Sequence, residues 1–113
     1  MKIKEKVEQG VAIITLSGNM MGGPETQAVH EKVKSLLTDN IRKIVIDLSG
    51  VKWMNSSGLG ILMASLTSIE QSSGHLKLAC VADKVQSLLM ITQLIKIFET
   101  YETVDRAVAT FKE

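Results

Sequence analysis

The stretch that decides the fold of this chain joins a strand to a helix, and over residues 43–60 it reads KIVIDLSGVKWMNSSGLG. Its first half is a short, nearly continuous apolar run, which is typical of a central parallel strand covered on at least one face. Its second half places Ser56 and Ser57 where a helix begins. The first N–H groups of a helix lack partners within it, and the helix dipole is positive there. A serine is therefore a good N-cap, and a phosphate bound to it is electrostatically favoured.

Strand and helix patterns alternate on both sides of this stretch. Crossover helices between strands imply parallel pairing, and an opening hairpin supplies the antiparallel pair of a mixed sheet. The pattern therefore predicts an α/β fold of order β-β-α-β-α-β-α-β-α. The predicted elements are strands 3–7 and 11–16, a helix over 24–39, a strand over 43–48, a helix from the serines to residues 72–74, a strand over 75–81, a helix over 83–94, a strand over 97–101 and a helix over 104–111.

Composition and charge exclude several classes of protein. The length of 113 residues is near the usual size of one domain, so we expect a single domain over residues 1–113. Thirteen basic and twelve acidic residues give a net charge of +1, which would not draw the chain to nucleic acid or to an anionic membrane. No apolar stretch reaches the ~18 residues of a membrane span, and no signal-peptide core follows the charged start. We therefore expect a cytoplasmic protein with no nucleic-acid partner and no membrane insertion.

Few residues are suited to enzymatic chemistry. The carboxylates form no recognisable catalytic pair, and the common nucleotide-binding and hydrolase motifs are absent from the sequence. His30 and His75 lack the spacing of a metal pair, so we expect them to be solvated or structural. Cys80 has no second cysteine to pair with, and we expect it to be a buried strand residue. The sequence thus predicts no catalytic residue, no metal site and no cofactor.

The motif Asn55-Ser56-Ser57-Gly58-Leu59-Gly60 resembles the Asp-Ser-Ser/Thr-Gly-Leu-Gly signature of the STAS-domain anti-sigma factor antagonist family. The likeness extends from the preceding strand to Leu62, and the predicted order of elements agrees over almost the whole chain. The resemblance implies a STAS domain in which Ser56 is phosphorylated, with Ser57 as the less favoured candidate.

The resemblance also implies a set of partners. A serine kinase of GHKL fold, itself an anti-sigma factor, binds the unphosphorylated antagonist and releases its sigma factor. The kinase then phosphorylates the antagonist and drives it off, and a serine/threonine phosphatase resets the serine. The ATP and Mg²⁺ belong to the kinase, so no cofactor is expected on this chain.

Two positions depart from the family pattern. Asn55 stands where the family often has Asp, although its side chain can still form the hydrogen bonds of a turn. The segment Asn19-Met20-Met21 occupies a loop in which the family often has an acidic residue. The loss of two negative charges could alter kinase choice or abolish phosphorylation, so partner binding is the better supported of the two roles.

A partner surface is predicted around the serines. Met20 and Met21 are adjacent in a glycine-flanked loop, and we expect both to be partly exposed near the partner. Trp53 alternates with Val51, and its large aromatic area favours a place in the core. The predicted partner contacts are Met20, Met21, Met54, Asn55, Ser56, Ser57, Gly58 and Leu59.

Two other functions remain open. The chain could be a non-catalytic STAS scaffold or subunit of another assembly, in transport or in a stressosome-like complex, with Ser56 only capping a helix. It could also be a small-ligand or nucleotide-binding module. A neighbouring gene for a small GHKL-type kinase would favour the antagonist, whereas neighbouring transporter genes would favour the scaffold.

Overall fold

The structure, a computed structural model, describes residues 1–112 and confirms the predicted order of strands and helices. A short 3₁₀ turn, Leu94–Lys96, replaces the predicted end of the third helix, which stops at Ile91. The strands are β1 (Lys2–Glu8), β2 (Val11–Ser17), β3 (Lys43–Gly50), β4 (His75–Ala79) and β5 (Glu99–Tyr101). The helices are α1 (Gly23–Thr38), α2 (Ser56–Gln71), α3 (Asp83–Ile91) and α4 (Val104–Thr110).

The five strands form one mixed sheet in the order β1-β2-β3-β4-β5. β1 pairs with β2 in antiparallel fashion, and the other neighbours are parallel. The hairpin between β1 and β2 turns through Gln9 and Gly10, whose φ values of 54° and 80° are both positive. A two-residue turn of type I′ needs this conformation at both positions, which explains the glycine.

The sheet is covered on both faces. Side chains from alternate positions of β3 enter two separate cores, because successive side chains of a strand point to opposite faces. Ile44 and Ile46 pack with residues of α1, α2 and α3, whereas Val45 packs with residues of α4. This two-sided burial explains why β3 reads as a nearly continuous apolar run.

The two histidines have the solvated and structural roles expected of them. His75 is exposed, whereas His30 on α1 is half-buried, with its Nε2 atom 2.8 Å from the Ser68 hydroxyl on α2. Burial lowers the pKa of His30, and the Lys34 ammonium lowers it further. The contact between His30 and Ser68 therefore joins α1 to α2 on the larger core.

Cys80 differs from its prediction as a buried strand residue. β4 ends at Ala79, and Cys80 is half-buried with a left-handed φ of 59°, a conformation that no regular strand contains. Its N–H still donates to the Tyr101 carbonyl at 3.0 Å. Burial raises the pKa of the Cys80 thiol, and the Asp47 carboxylate raises it further.

Candidate functional site

Two loops meet at the start of α2. One follows β2 and the other follows β3, so both leave the sheet at the carboxyl ends of neighbouring parallel strands. Three backbone hydrogen bonds join them, from Gly18 N to Gly50 O (3.0 Å), from Met20 N to Trp53 O (3.1 Å) and from Asn55 N to Met20 O (3.2 Å). The beginning of α2 is therefore held by a segment more than thirty residues away as well as by its own strand.

The N-cap of α2 is Asn55, and the expectation that a serine caps this helix is wrong. The Oδ1 atom of Asn55 accepts a hydrogen bond from the Gly58 N–H at 3.0 Å, while its Nδ2 donates to the Met21 carbonyl at 3.0 Å. Because α2 begins at Ser56, both serines lie inside its first turn. An ionised aspartate would accept the first hydrogen bond but could not donate the second.

Ser56 and Ser57 are both exposed at the amino end of α2. Intrahelical bonding begins with the Leu59 N–H, which donates to the Asn55 carbonyl at 3.0 Å. The N–H groups of Ser56 and Ser57 thus have no partner within the helix. No acidic residue lies in the first turn. An anionic group on either hydroxyl would therefore meet unpaired donors and the positive end of the helix dipole.

The neighbouring loop approaches Ser57 so closely that a side chain on the loop glycine would crowd it. A Cβ built on Gly22 would lie 3.1 Å from the Ser57 Cβ and 3.4 Å from its Oγ. Gly22 also has a left-handed φ of 97°, which glycine adopts without strain. Gly58 meets the same loop, because a Cβ there would collide with the Met20 carbonyl oxygen. Both glycines let the loop lie against the start of α2.

Four of the eight predicted contact residues are buried. The expected partial exposure of Met20 is wrong, because Met20 pairs with Met54 in a parallel bridge and both side chains enter the larger core. Gly58 and Leu59 are buried as well. The expected exposure of Met21 is confirmed, since 49% of its surface is accessible. The accessible part of the predicted surface consists of Met21, half-buried Asn55, Ser56 and Ser57.

Trp53 faces solvent with 44% of its surface exposed, so its predicted place in the core is wrong. The prediction assumed that side chains continue to alternate between the two faces of the sheet as far as Trp53, beyond the end of the strand. β3 ends at Gly50, and the Val51 N–H then donates to the Leu48 carbonyl at 3.0 Å in a turn. Val51 is buried as expected, but the segment that follows it is not a regular strand.

Trp53 lines a groove against α3 with a volume of about 330 Å³. On this helix Leu88 is half-buried and Ile91 is 80% exposed. The four consecutive apolar residues 88–91 cannot all lie on one face of a helix. The sequence therefore contained a sign that some of them would be exposed to solvent. The groove, called here the Trp53 groove, is lined by Trp53, Lys84, Ser87, Leu88 and Ile91.

The described residues offer neither a metal-binding cluster nor a membrane-spanning helix. Within residues 1–112 no group of three or more His, Cys, Asp or Glu side chains is placed to hold a metal ion. Across the same residues, no helix combines the length and apolar character needed to cross a bilayer.

The family model of the STAS domain matches residues 2–107. The chain belongs to the STAS domain family. The anti-sigma F factor antagonist of Paenibacillus polymyxa is 26% identical to it over 102 residues, which cover 90% of this STAS domain protein and 87% of that relative. A solved structure from Thermotoga maritima has a TM-score of 0.88 at 25% identity and covers 98% of this chain and 95% of its own.

The STAS fold also occurs in proteins with other names. A sulfate transporter family protein from Wolinella succinogenes has a TM-score of 0.77 at 20% identity, with 95% of this chain and 88% of that chain covered. At this identity the likeness concerns the fold alone. Function therefore has to be argued from the surface around α2.

Proposed function

We propose that this STAS domain is an anti-sigma factor antagonist that is switched by phosphorylation of Ser56. The observation that carries the proposal is the exposed Ser56 at the first position of α2, beside N–H groups that the helix leaves unpaired. Its partner is a serine kinase of GHKL fold that is itself an anti-sigma factor. Binding of the unphosphorylated chain releases the sigma factor, and phosphoryl transfer to Ser56 ends the complex.

A phosphoryl group at this position would change binding without unfolding the domain. It adds about −1.5 to −2 charges and three strong acceptor oxygens to the exposed surface. The unpaired N–H groups and the helix dipole stabilise that charge on the free protein. A partner that packs closely against Met21 and the start of α2 would lose contact because the added group occupies the space between them. A serine/threonine phosphatase restores the original surface.

The loop against α2 favours Ser56 over Ser57 as the acceptor. The Gly22 backbone lies close to the Ser57 side chain, as the 3.1 Å approach of a built Cβ indicates. A Cβ built on any glycine of this loop would not come within 4 Å of Ser56 as one of its nearest atoms. The attacking hydroxyl has to meet the γ-phosphorus in line with the leaving oxygen, so the close approach of the Gly22 loop disfavours Ser57.

The experiment is phosphoryl transfer from ATP by the GHKL-type kinases of the source genome. Wild type, Ser56→Ala and Ser57→Ala form a matched set, since the two serines are adjacent and both exposed. We expect one phosphoryl group on wild type and on Ser57→Ala and none on Ser56→Ala, as mapped by mass spectrometry. Undiminished modification of Ser56→Ala at Ser57 would overturn the assignment.

A second readout tests the switch itself. Calorimetry should show weaker kinase binding for phosphorylated wild type than for the unmodified protein, with an unchanged circular dichroism spectrum. Equal affinities of the two forms would contradict the switch even if Ser56 is modified.

A non-catalytic STAS subunit of a transport or stressosome-like assembly is the second candidate. It is favoured by the fold shared with the sulfate transporter family protein, but the helix-capping role that it gave to Ser56 belongs to Asn55. Failure of every GHKL-type kinase of the source genome to bind or modify the chain would support this candidate against the first.

A further inference from the structure

We propose that the Trp53 groove is a second docking site for the same anti-sigma factor, and that it takes an apolar side chain followed closely by a carboxylate. The inference rests on the proposed function, because it adds an anchoring contact to the partner that acts on Ser56. The groove lies between the loop that precedes α2 and the exposed side of α3.

The apolar character of the occupant follows from the exposed residues. Trp53 and Ile91 are 44% and 80% exposed, which are high values for large apolar side chains that line the same groove. Half-buried Leu88 lies in the same groove. Adjacent exposed apolar groups of this kind mark interaction surfaces on folded proteins. An apolar side chain in the groove would remove them from water.

The charge of the occupant follows from Lys84. It is the only ionised side chain among the five that line the Trp53 groove, so the rim carries a single positive charge. A carboxylate next to the apolar anchor would pair with this ammonium. A basic residue at the same place would be repelled, and such charges at an interface select between partners more than they add affinity.

The groove is near enough to Ser56 for one partner to cover both. Trp53 precedes Ser56 by three residues, so the chain between them spans at most about 10 Å. A standard interface buries about 800 Å² on each partner, which extends well beyond that distance. The Trp53 carbonyl also accepts the Met20 N–H, so the groove and the loop bearing Met21 are joined through the backbone.

The two contacts would have separate roles in the complex. The groove supplies affinity that does not depend on the state of Ser56, because its lining residues are on the preceding loop and on α3. Ser56 supplies control, because the phosphoryl group appears there. Loss of the groove should therefore raise the KM of the kinase for this chain and leave the turnover at saturation unchanged.

The first test compares neighbouring residues of α3. Ile91 lines the groove, whereas Met90 is 59% exposed on the same helix and does not line it. With the kinase that modifies Ser56, we expect Ile91→Ser to weaken binding by about tenfold, the effect of losing one buried aliphatic side chain. Met90→Ser should change affinity by less than about twofold. Both variants should keep the circular dichroism spectrum of wild type.

The second test reverses charge. Lys84→Glu should weaken binding by about fivefold at low salt and by less at high salt, whereas Lys96→Glu, outside the groove, serves as the control. The docking site would be refuted if both Ile91→Ser and Lys84→Glu bound the kinase with the affinity and KM of wild type. Normal phosphorylation of Ser56 in these variants would leave the proposed function intact.

Two further outcomes would also overturn the groove as a site for the anti-sigma factor. If no GHKL-type kinase binds wild type, both the groove and the proposed function fail. If the free protein is a dimer by light scattering and Ile91→Ser is a monomer, the occupant is a second copy of this chain.

Discussion

Replacement of Asn55 by Asp tests how the start of α2 is held. The carboxylate would keep the hydrogen bond from the Gly58 N–H and would gain about 0.3–1 kcal/mol from the helix dipole. It would lose the donor that now reaches the Met21 carbonyl at 3.0 Å. That loss costs about 0.5–1.5 kcal/mol, and two oxygens that face each other add repulsion. We expect that repulsion to offset the dipole gain, which leaves the cost of the lost hydrogen bond, a decrease of about 1 kcal/mol in the free energy of unfolding.

Two further substitutions at the same position separate the two hydrogen bonds. Asn55→Ser keeps a capping oxygen but is too short to reach the Met21 carbonyl, so it should also cost about 1 kcal/mol. Asn55→Ala removes both hydrogen bonds and should cost about 2 kcal/mol. The expected order of stability is wild type first, then Ser and Asp together, then Ala.

The assay is urea unfolding at neutral pH followed by circular dichroism. A difference of 1 kcal/mol should also lower the melting temperature by about 4 °C in a chain of this size. An Asp variant as stable as wild type, together with a Ser variant that is equally stable, would refute the contribution of the Nδ2 hydrogen bond. If kinases of related systems require the acidic residue of the family motif, Asn55→Asp should accept phosphate faster than wild type in spite of its lower stability.

Three other predictions concern residues outside the candidate site. Ser65→Ala should raise the free energy of unfolding by about 1 kcal/mol, since the buried Ser65 hydroxyl has no hydrogen-bond partner among residues 1–112. Ser68→Ala should lower the free energy of unfolding by about 1 kcal/mol, because it removes the hydrogen bond to His30. Burial lowers the pKa of His30 below 6.5, so its neutral form is favoured in the folded state. The free energy of unfolding of wild type should therefore decrease as the pH falls from 6.5 through the lower pKa of His30 in the folded state, and His30→Gln should lose less stability over that range. Parallel plots of stability against pH for the two proteins would contradict this. Burial and Asp47 raise the pKa of the Cys80 thiol. Iodoacetamide should therefore modify Cys80 more slowly in the folded protein than in the urea-unfolded protein at about pH 8. Equal rates of modification would contradict this prediction.

The order of strands and helices was predictable because each element has a local pattern. The apolar run of β3, the turn at Gln9-Gly10 and the helical spacing after Ser56 depend on residues close together in sequence. The ends of the elements were less predictable. Cys80 was assigned to β4, yet the strand ends one residue earlier in a left-handed turn that the surrounding apolar residues do not reveal.

The candidate site was predictable in position but not in detail. Its serines follow β3 after a loop of only five residues, 51–55, so their place at the start of a helix needed no tertiary information. The burial of Met20 and the exposure of Trp53 depend on pairing between two loops, and no local pattern encodes that pairing. Ile91 belongs to an apolar run that could have faced either the core or solvent. Only the packing of α3 decides between these two environments.

The loop pairing has a consequence for how a switch at Ser56 would operate. Beneath the serines, Met20 and Met54 are buried and joined by a backbone bridge, while Asn55 holds the first turn of α2 to the same loop. This layer does not depend on the Ser56 hydroxyl, because its hydrogen bonds come from the backbone and from Asn55. A phosphoryl group on Ser56 would thus change charge and shape above a support that stays in place. Control of binding at this surface would then require no change of fold, and its strength would depend on how closely a partner packs against Met21 and the start of α2.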